Sequence, residues 1–236
     1  MIDEYAWRGG REAMLRFGPG SGPIVVVVLP LFEEANRLRA SIVAMCRRLA
    51  DAGIASLLPD VPGQGESLTP LQDCTLADMR AGLAAAARAA AMTHGPIHAV
   101  AIRSGALLDT FALPERRWLF APQPGRDLLR QLRRIDHAAT LNTGAPVREL
   151  PARTAQTVTI AGNVIGRTLL DALEAADGLE VPSHGGRVVR LTGDAWAADR
   201  HVEGTALWRR SEPDIDLPLV ALLADDITAW VVSCAG

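Results

Sequence analysis

The sequence predicts an α/β fold: a mainly parallel, doubly wound sheet with a small helical insertion. Three observations carry that prediction. Short apolar runs alternate with segments of helical period. The runs lack the in–out alternation of strands with one wet face. A glycine-rich loop follows the second run, at the strand end where open α/β sheets place their ligands. The 236 residues suit one domain, 1–236, because doubly wound sheets of this size share a single core.

Gly18 to Pro23 is rich in turn formers, and Ile24 to Leu29 follows with four consecutive valines. An unbroken β-branched run of this kind predicts a strand buried on both faces. Glu33 to Ala52 repeats Leu38, Ile42, Met45, Cys46 and Leu49 at helical spacing, with Gly53 where a helix end needs a left-handed residue. Ile54 to Pro59 is the second buried strand, Leu76 to Met92 an Ala-rich helix, and Ile97 to Ile102 the third strand. Gly105 to Phe111 starts a further helix, and Trp118 to Ala121 reads as a fourth strand. Pro122-Gln123-Pro124-Gly125 then breaks the pattern. Residues 122–156 read as a reduced cap, Arg-rich and partly helical, inserted over one end of the sheet. Thr157–Ile160, Arg187–Leu191 and His201–Glu203 read as later strands, with helices at Leu169–Ala176 and Leu217–Val232.

Composition excludes several classes. With 49% hydrophobic and 22% charged residues the chain is neither disordered nor collagen-like. A net charge of −3 gives no basic footprint, so nucleic acid is not an expected partner. All 24 basic side chains are Arg, a compositional bias from which no function is read. Cys46, Cys74 and Cys234 share no metal or redox spacing, and no metal or cofactor is expected. Met1-Ile2-Asp3-Glu4 lacks the basic and apolar sections of a leader, and the longest apolar run, Ile24 to Leu31, is too short to span a bilayer. A cytoplasmic protein with a small-molecule ligand is expected; the oligomeric state stays open.

The loop Asp60-Val61-Pro62-Gly63-Gln64-Gly65-Glu66-Ser67 fails as a nucleotide loop, since no helix opening with Lys-Ser or Lys-Thr follows. Taken with the strand–turn–helix around Arg103, it resembles the α/β-hydrolase superfamily. That superfamily carries its nucleophile on a strained Gly-x-Ser-x-Gly turn. Here the turn reads Ala101-Ile102-Arg103-Ser104-Gly105, which puts Arg103 at the nucleophile position. A guanidinium has five donors, no acceptor and no nucleophilic atom near neutral pH. Pro30-Leu31-Phe32-Glu33-Glu34-Ala35-Asn36, Leu58-Pro59-Asp60, Arg103 to Leu108 and Ala206-Leu207-Trp208-Arg209-Arg210-Ser211-Glu212 together resemble the exosortase-system-associated hydrolases, type 2. The resemblance runs over roughly residues 20–230. It implies a setting near bacterial exopolysaccharide and protein-sorting genes, an Arg in the same turn, and no particular reaction.

For chemistry, Ser104 is the one hydroxyl beside the turn and Asp194, after Arg187–Leu191, is the candidate acid. Each also reads as structural, Ser104 as a small packed residue and Asp194 as a turn cap. No His is well placed to act as base: His94 and His98 flank the start of a strand, His184 and His201 fall at strand starts, and His137 lies in the insertion. Trp208 and Glu212 stand where a His is expected. The pattern therefore reads as a dismantled triad around a surviving pocket, with an active esterase or thioesterase using Ser104 as the alternative. The pocket is expected to use Arg103, Leu31, Phe32, Glu34, Trp208 and Glu212, with backbone amides of Phe32 and Ser104 as further donors. Two readings of Arg103 stay open: an internal pair with Glu33 or Glu34, or recognition of a small anion. Arg126, Arg130, Arg133 and Arg134 either line the mouth of the pocket or form a solvated helix face.

Overall fold

The computed structural model describes residues 1–94, 97–109, 116–143, 155–178 and 186–234. Its strands are β1 (Ile2–Trp7), β2 (Gly10–Phe17), β3 (Ile24–Val28), β4 (Ala55–Pro59), β5 (Ile97–Ile102), β6 (Arg117–Phe120), β7 (Thr157–Ile160), β8 (Asn163–Gly166), β9 (Arg187–Leu191) and β10 (Arg200–Val202). The helices are α1 (Glu33–Asp51), α2 (Leu76–His94), α3 (Gly125–Thr143), α4 (Arg167–Ala175) and α5 (Leu217–Cys234).

Eight strands form one sheet in the order β1-β2-β4-β3-β5-β6-β9-β10, parallel from β4 to β10. The valine run explains the doubly wound build. Val25 and Val27 face α1 and α5, whereas Val26 and Val28 face the layer of α2, α3 and α4. Every one of them is buried, because a strand covered on both sides has no face for polar side chains. Chain order reverses at β3, with β4 on one side and β5 on the other. Their carboxyl ends splay apart there and leave a crevice.

Three elements differ from expectation. The N-terminal hairpin β1–β2, which adds two antiparallel strands beside β4, has no strong sequence signal. Its inward residues are Tyr5, Glu12 and Met14, and a charged Glu12 among them interrupts the apolar alternation. Glu12 is accommodated by the Trp7 indole, whose Nε1–H donates to it at 3.1 Å. Thr157–Ile160 is a strand but pairs only with β8, as a separate hairpin outside the main sheet. The helix expected from Gly105 is a short 3-10 turn, Arg103–Leu107, and Phe111 lies outside the described residues. Within the expected cap, 122–156, α3 occupies 125–143, and 144–154 lie outside the described residues.

Helix α5 is long and apolar enough to cross a membrane, with mean hydropathy 1.6. Its Leu219, Val220, Leu223, Ile227, Trp230 and Val231 are buried against the sheet and α1, so a core face accounts for much of that apolarity. Asp226 on the same helix is buried. It accepts from Trp118 Nε1 at 2.8 Å, from Arg187 at 2.7 and 2.8 Å, and from Arg200 at 2.7 Å. A buried carboxylate with three donors ties α5 to β6, β9 and β10.

Candidate functional site

Arg103 begins the turn after β5 with φ 54, a left-handed conformation that costs a residue with a side chain about 1–2 kcal/mol. Neighbouring groups over-determine it. Arg117 donates to Asp109 through Nε at 2.8 Å and to the Ala106 carbonyl at 3.1 Å, and Arg80 donates to the Leu107 carbonyl at 2.9 Å. Gly105 lets the turn lie directly on β3, where an added Cβ would stand 2.6 Å from the Val28 carbonyl oxygen and 2.8 Å from that of Leu29. Backbone atoms cannot give way as a flexible side chain can. Gly105→Ala is therefore expected to cost roughly 1–3 kcal/mol, read as a lower urea midpoint at unchanged slope.

The Arg103 guanidinium points into a buried polar triangle. Nη2 donates to Glu34 Oε1 at 3.0 Å and to Gln123 Oε1 at 2.6 Å, and Gln123 Nε2 donates to Glu34 Oε2 at 3.2 Å. Nη1 donates to the Ala121 carbonyl at 3.3 Å. The guanidinium carbon lies 4.3 Å from the centre of the Trp208 ring, which is held edge-on by Phe120. The internal pair is thus realised, with Glu34. Glu33 turns the other way and accepts from the Asn163 amide.

Ser104 is fully buried, and its hydroxyl oxygen accepts from the Leu31 amide at 2.9 Å. The Phe32 amide, expected as a free donor, is taken by Gln64 Oε1 at 2.8 Å. Gln64 reaches it because the glycine-rich loop folds over β3: Asp60 accepts from the Glu66 amide at 3.1 Å, and Gly65, φ 60, passes so close that a Cβ would overlap the Asp60 carboxylate.

Two cavities open at the carboxyl edge. The smaller, about 210 Å³, is lined by Leu31, Phe32, Glu33, Arg39, Asp60 and Gln64. The larger, about 910 Å³, is lined by Arg103, Arg190, Asp194, Trp196 and Trp208 on the sheet side and by Gln131, Arg130 and Arg134 of α3. The residues expected in one pocket are therefore divided. Leu31 and Phe32 face the small cavity, Arg103 and Trp208 face the cleft, and Glu34 sits buried behind Arg103. Glu212 is exposed and lines neither, since the chain has already left the sheet edge at that point. Of the four arginines singled out above, Arg130 and Arg134 line the cleft; Arg133 pairs with Glu174 at 3.5 Å, and Arg126 is exposed.

Asp194 lies on the cleft wall, 2.9 Å from Arg190 and accepting from the Trp196 amide at 3.1 Å. Burial pushes its carboxyl up, but the Trp196 amide and the Arg190 guanidinium outweigh burial and hold it below the usual range. None of the described residues that line the cleft is a His. His98 is buried early in β5 against Trp230, His94 is half-buried, His137 and His201 are exposed, and His184 lies outside the described residues. The buried thiols are poor nucleophiles: burial pushes Cys46 up to about 12 and Cys74 to about 11. No group of three metal-ligating side chains occurs among the described residues.

Sequence reasoning missed Gln123, Gln131, Arg190 and Trp196. The one local signal was Pro122-Gln123-Pro124, whose flanking prolines restrict the backbone that presents the Gln123 amide.

No protein-family model and no curated protein sequence matches the chain. Solved structures do. Est1E from Butyrivibrio proteoclasticus, with ferulic acid bound, superposes with a TM-score of 0.62 at 14% identity over 98% of each chain. An α/β hydrolase from Sphaerobacter thermophilus gives 0.55 at 20% identity, over 94% of this chain and 99% of its own. A hydrolase from Agrobacterium vitis gives 0.58 at 14% identity over 98% of each. The chain has the α/β-hydrolase fold. In an α/β-hydrolase fold the turn after β5 is the nucleophile elbow, and positive φ at its central residue is the strain that the elbow requires. The elbow of this chain keeps that backbone and presents Arg103 from it. Asp194 follows the end of β9, and Trp208 lies in the segment after β10.

Proposed function

We propose that this protein is a non-hydrolysing member of the α/β-hydrolase fold that binds a small anionic ligand in the cleft beside Arg103. The observation that carries the reading is Arg103 itself, held at φ 54 on the elbow with no atom able to attack a carbonyl. Further support comes from Ser104, whose hydroxyl is occupied by the Leu31 amide, and from Trp208, which stacks on the guanidinium where a base would act. Five arginines against two aspartates line the cleft, an excess of positive charge in a chain whose net charge is −3. The motif resemblance supports an exosortase-associated, exopolysaccharide-linked setting, and three unpaired cysteines accord with a reducing, cytoplasmic compartment.

Treatment with a serine-directed fluorophosphonate is expected to leave the protein unlabelled, and turnover of simple activated esters is expected to stay at the buffer rate. Stoichiometric modification at Ser104, lost in Ser104→Ala, would replace this reading with a serine esterase or thioesterase served by Ser104 and Asp194.

A further inference from the structure

Charge in the cleft is unevenly satisfied. Arg103 is paired with Glu34, Arg190 with Asp194 and Arg130 with Asp127. The guanidiniums of Arg134, from α3, and Arg209, from the 3-10 turn after β10, have no ion-pair or hydrogen-bond partner among the described residues, and both residues are exposed. Two separate elements thus bring unpaired guanidiniums to one concavity. Each presents a planar fork of donors suited to carboxylate or phosphate.

The third feature of the same cleft is Trp196. Half of its surface is exposed, although Trp is usually largely buried. Its backbone amide donates to Asp194, and the Arg190 guanidinium carbon lies 5.6 Å from the ring centre. A half-exposed indole inside a concavity, with a guanidinium beside it, offers a stacking surface to a flat ligand.

We propose that the cleft selects an anionic group carried on a flat ring, with the ring stacked on Trp196 and the phosphate or carboxylate held by Arg134 and Arg209. This rests on the anion-binding reading above and adds to it the shape of the ligand and the residues that read it. Arg103, already enclosed by Glu34, Gln123 and Trp208, serves as the floor and does not make the primary contact.

Calorimetric titration with 1-naphthyl phosphate, 1-naphthol and inorganic phosphate tests the proposal. The ester is expected to bind at least tenfold more tightly than either fragment. Trp196→Ala should weaken it about tenfold, toward the affinity of inorganic phosphate. Arg134→Gln with Arg209→Gln should weaken it more than tenfold, toward the affinity of 1-naphthol. All three residues are exposed, so the melting temperatures of these variants should stay at the wild-type value and serve as the control for folding. Equal affinities for the ester and inorganic phosphate, or binding indifferent to these substitutions, would overturn the ring-and-rim assignment while leaving anion binding in place. Failure of both phosphates to bind would remove the anion reading as well.

Discussion

Arg103→Ala is expected to lower the melting temperature by roughly 6–20 °C with no ligand present, the shift that a loss of about 3–5 kcal/mol causes in a domain of this size. The physical reason is the state in which Glu34 is left. Its side chain is 4% exposed, and without the guanidinium the Gln123 amide is the only side-chain donor left to it among the described residues. The loss comes from a stranded buried charge more than from the pair itself, which sets a second expectation. Removing both charges, as Arg103→Met with Glu34→Leu, should be less damaging than Arg103→Ala alone. Arg103→Lys should recover only part of the loss, because one ammonium cannot serve Glu34, Gln123 and the Ala121 carbonyl from a plane stacked on Trp208. A melting temperature unchanged in Arg103→Ala would show that Glu34 does not depend on this partner, and the elbow would then have to be understood through its ligand alone.

The second large effect is a loss of stability in acid that runs through Asp226. Burial pushes this carboxyl up, yet hydrogen bonds from Arg187, Trp118 and Arg200 more than compensate and bring it from 3.8 down to about 2. A carboxyl lower in the folded than in the unfolded chain stabilises the fold fully above pH 3.8 and loses that contribution as pH falls toward 2. The shift corresponds to roughly 2 kcal/mol. Urea unfolding of wild type and Asp226→Asn between pH 2 and 6 should therefore give a stability gap that is constant at the upper end and closes by about that amount toward pH 2. A gap that does not change with pH would mean that Asp226 acts only through packing and neutral hydrogen bonds.

Much of the architecture was legible because local pattern and global burial agree in this chain. Ile24–Leu29, Ile54–Pro59 and Ile97–Ile102 are apolar at every position or nearly so, and a doubly covered parallel sheet is the environment that tolerates that. The β1–β2 hairpin was not legible, since Glu12 occupies an inward position, one oxygen bonded to the Trp7 indole, and breaks the apolar alternation there. Thr157–Ile160 was legible as a strand but not as one outside the sheet, because β propensity is silent on which partner a strand finds.

The site divides along the same line. The sequence, read through its resemblance to the α/β-hydrolase superfamily, placed an Arg on the elbow, named Glu34 among its candidate partners and put Trp208 where a base is expected, because that motif stands at a fixed distance from a recognisable strand. Only the tertiary structure decided that Gln123 closes the triangle, that Ser104 and Gln64 consume the Leu31 and Phe32 amides, and that Trp196 shares a cleft with Arg134 and Arg209. Those contacts join residues that are 20, 73 and 32 positions apart in the hydrogen-bonded cases. Helical and strand periods carry information over a few residues; which carboxyl-end loops meet above the sheet is set by strand order, and that order exists only once the chain has folded.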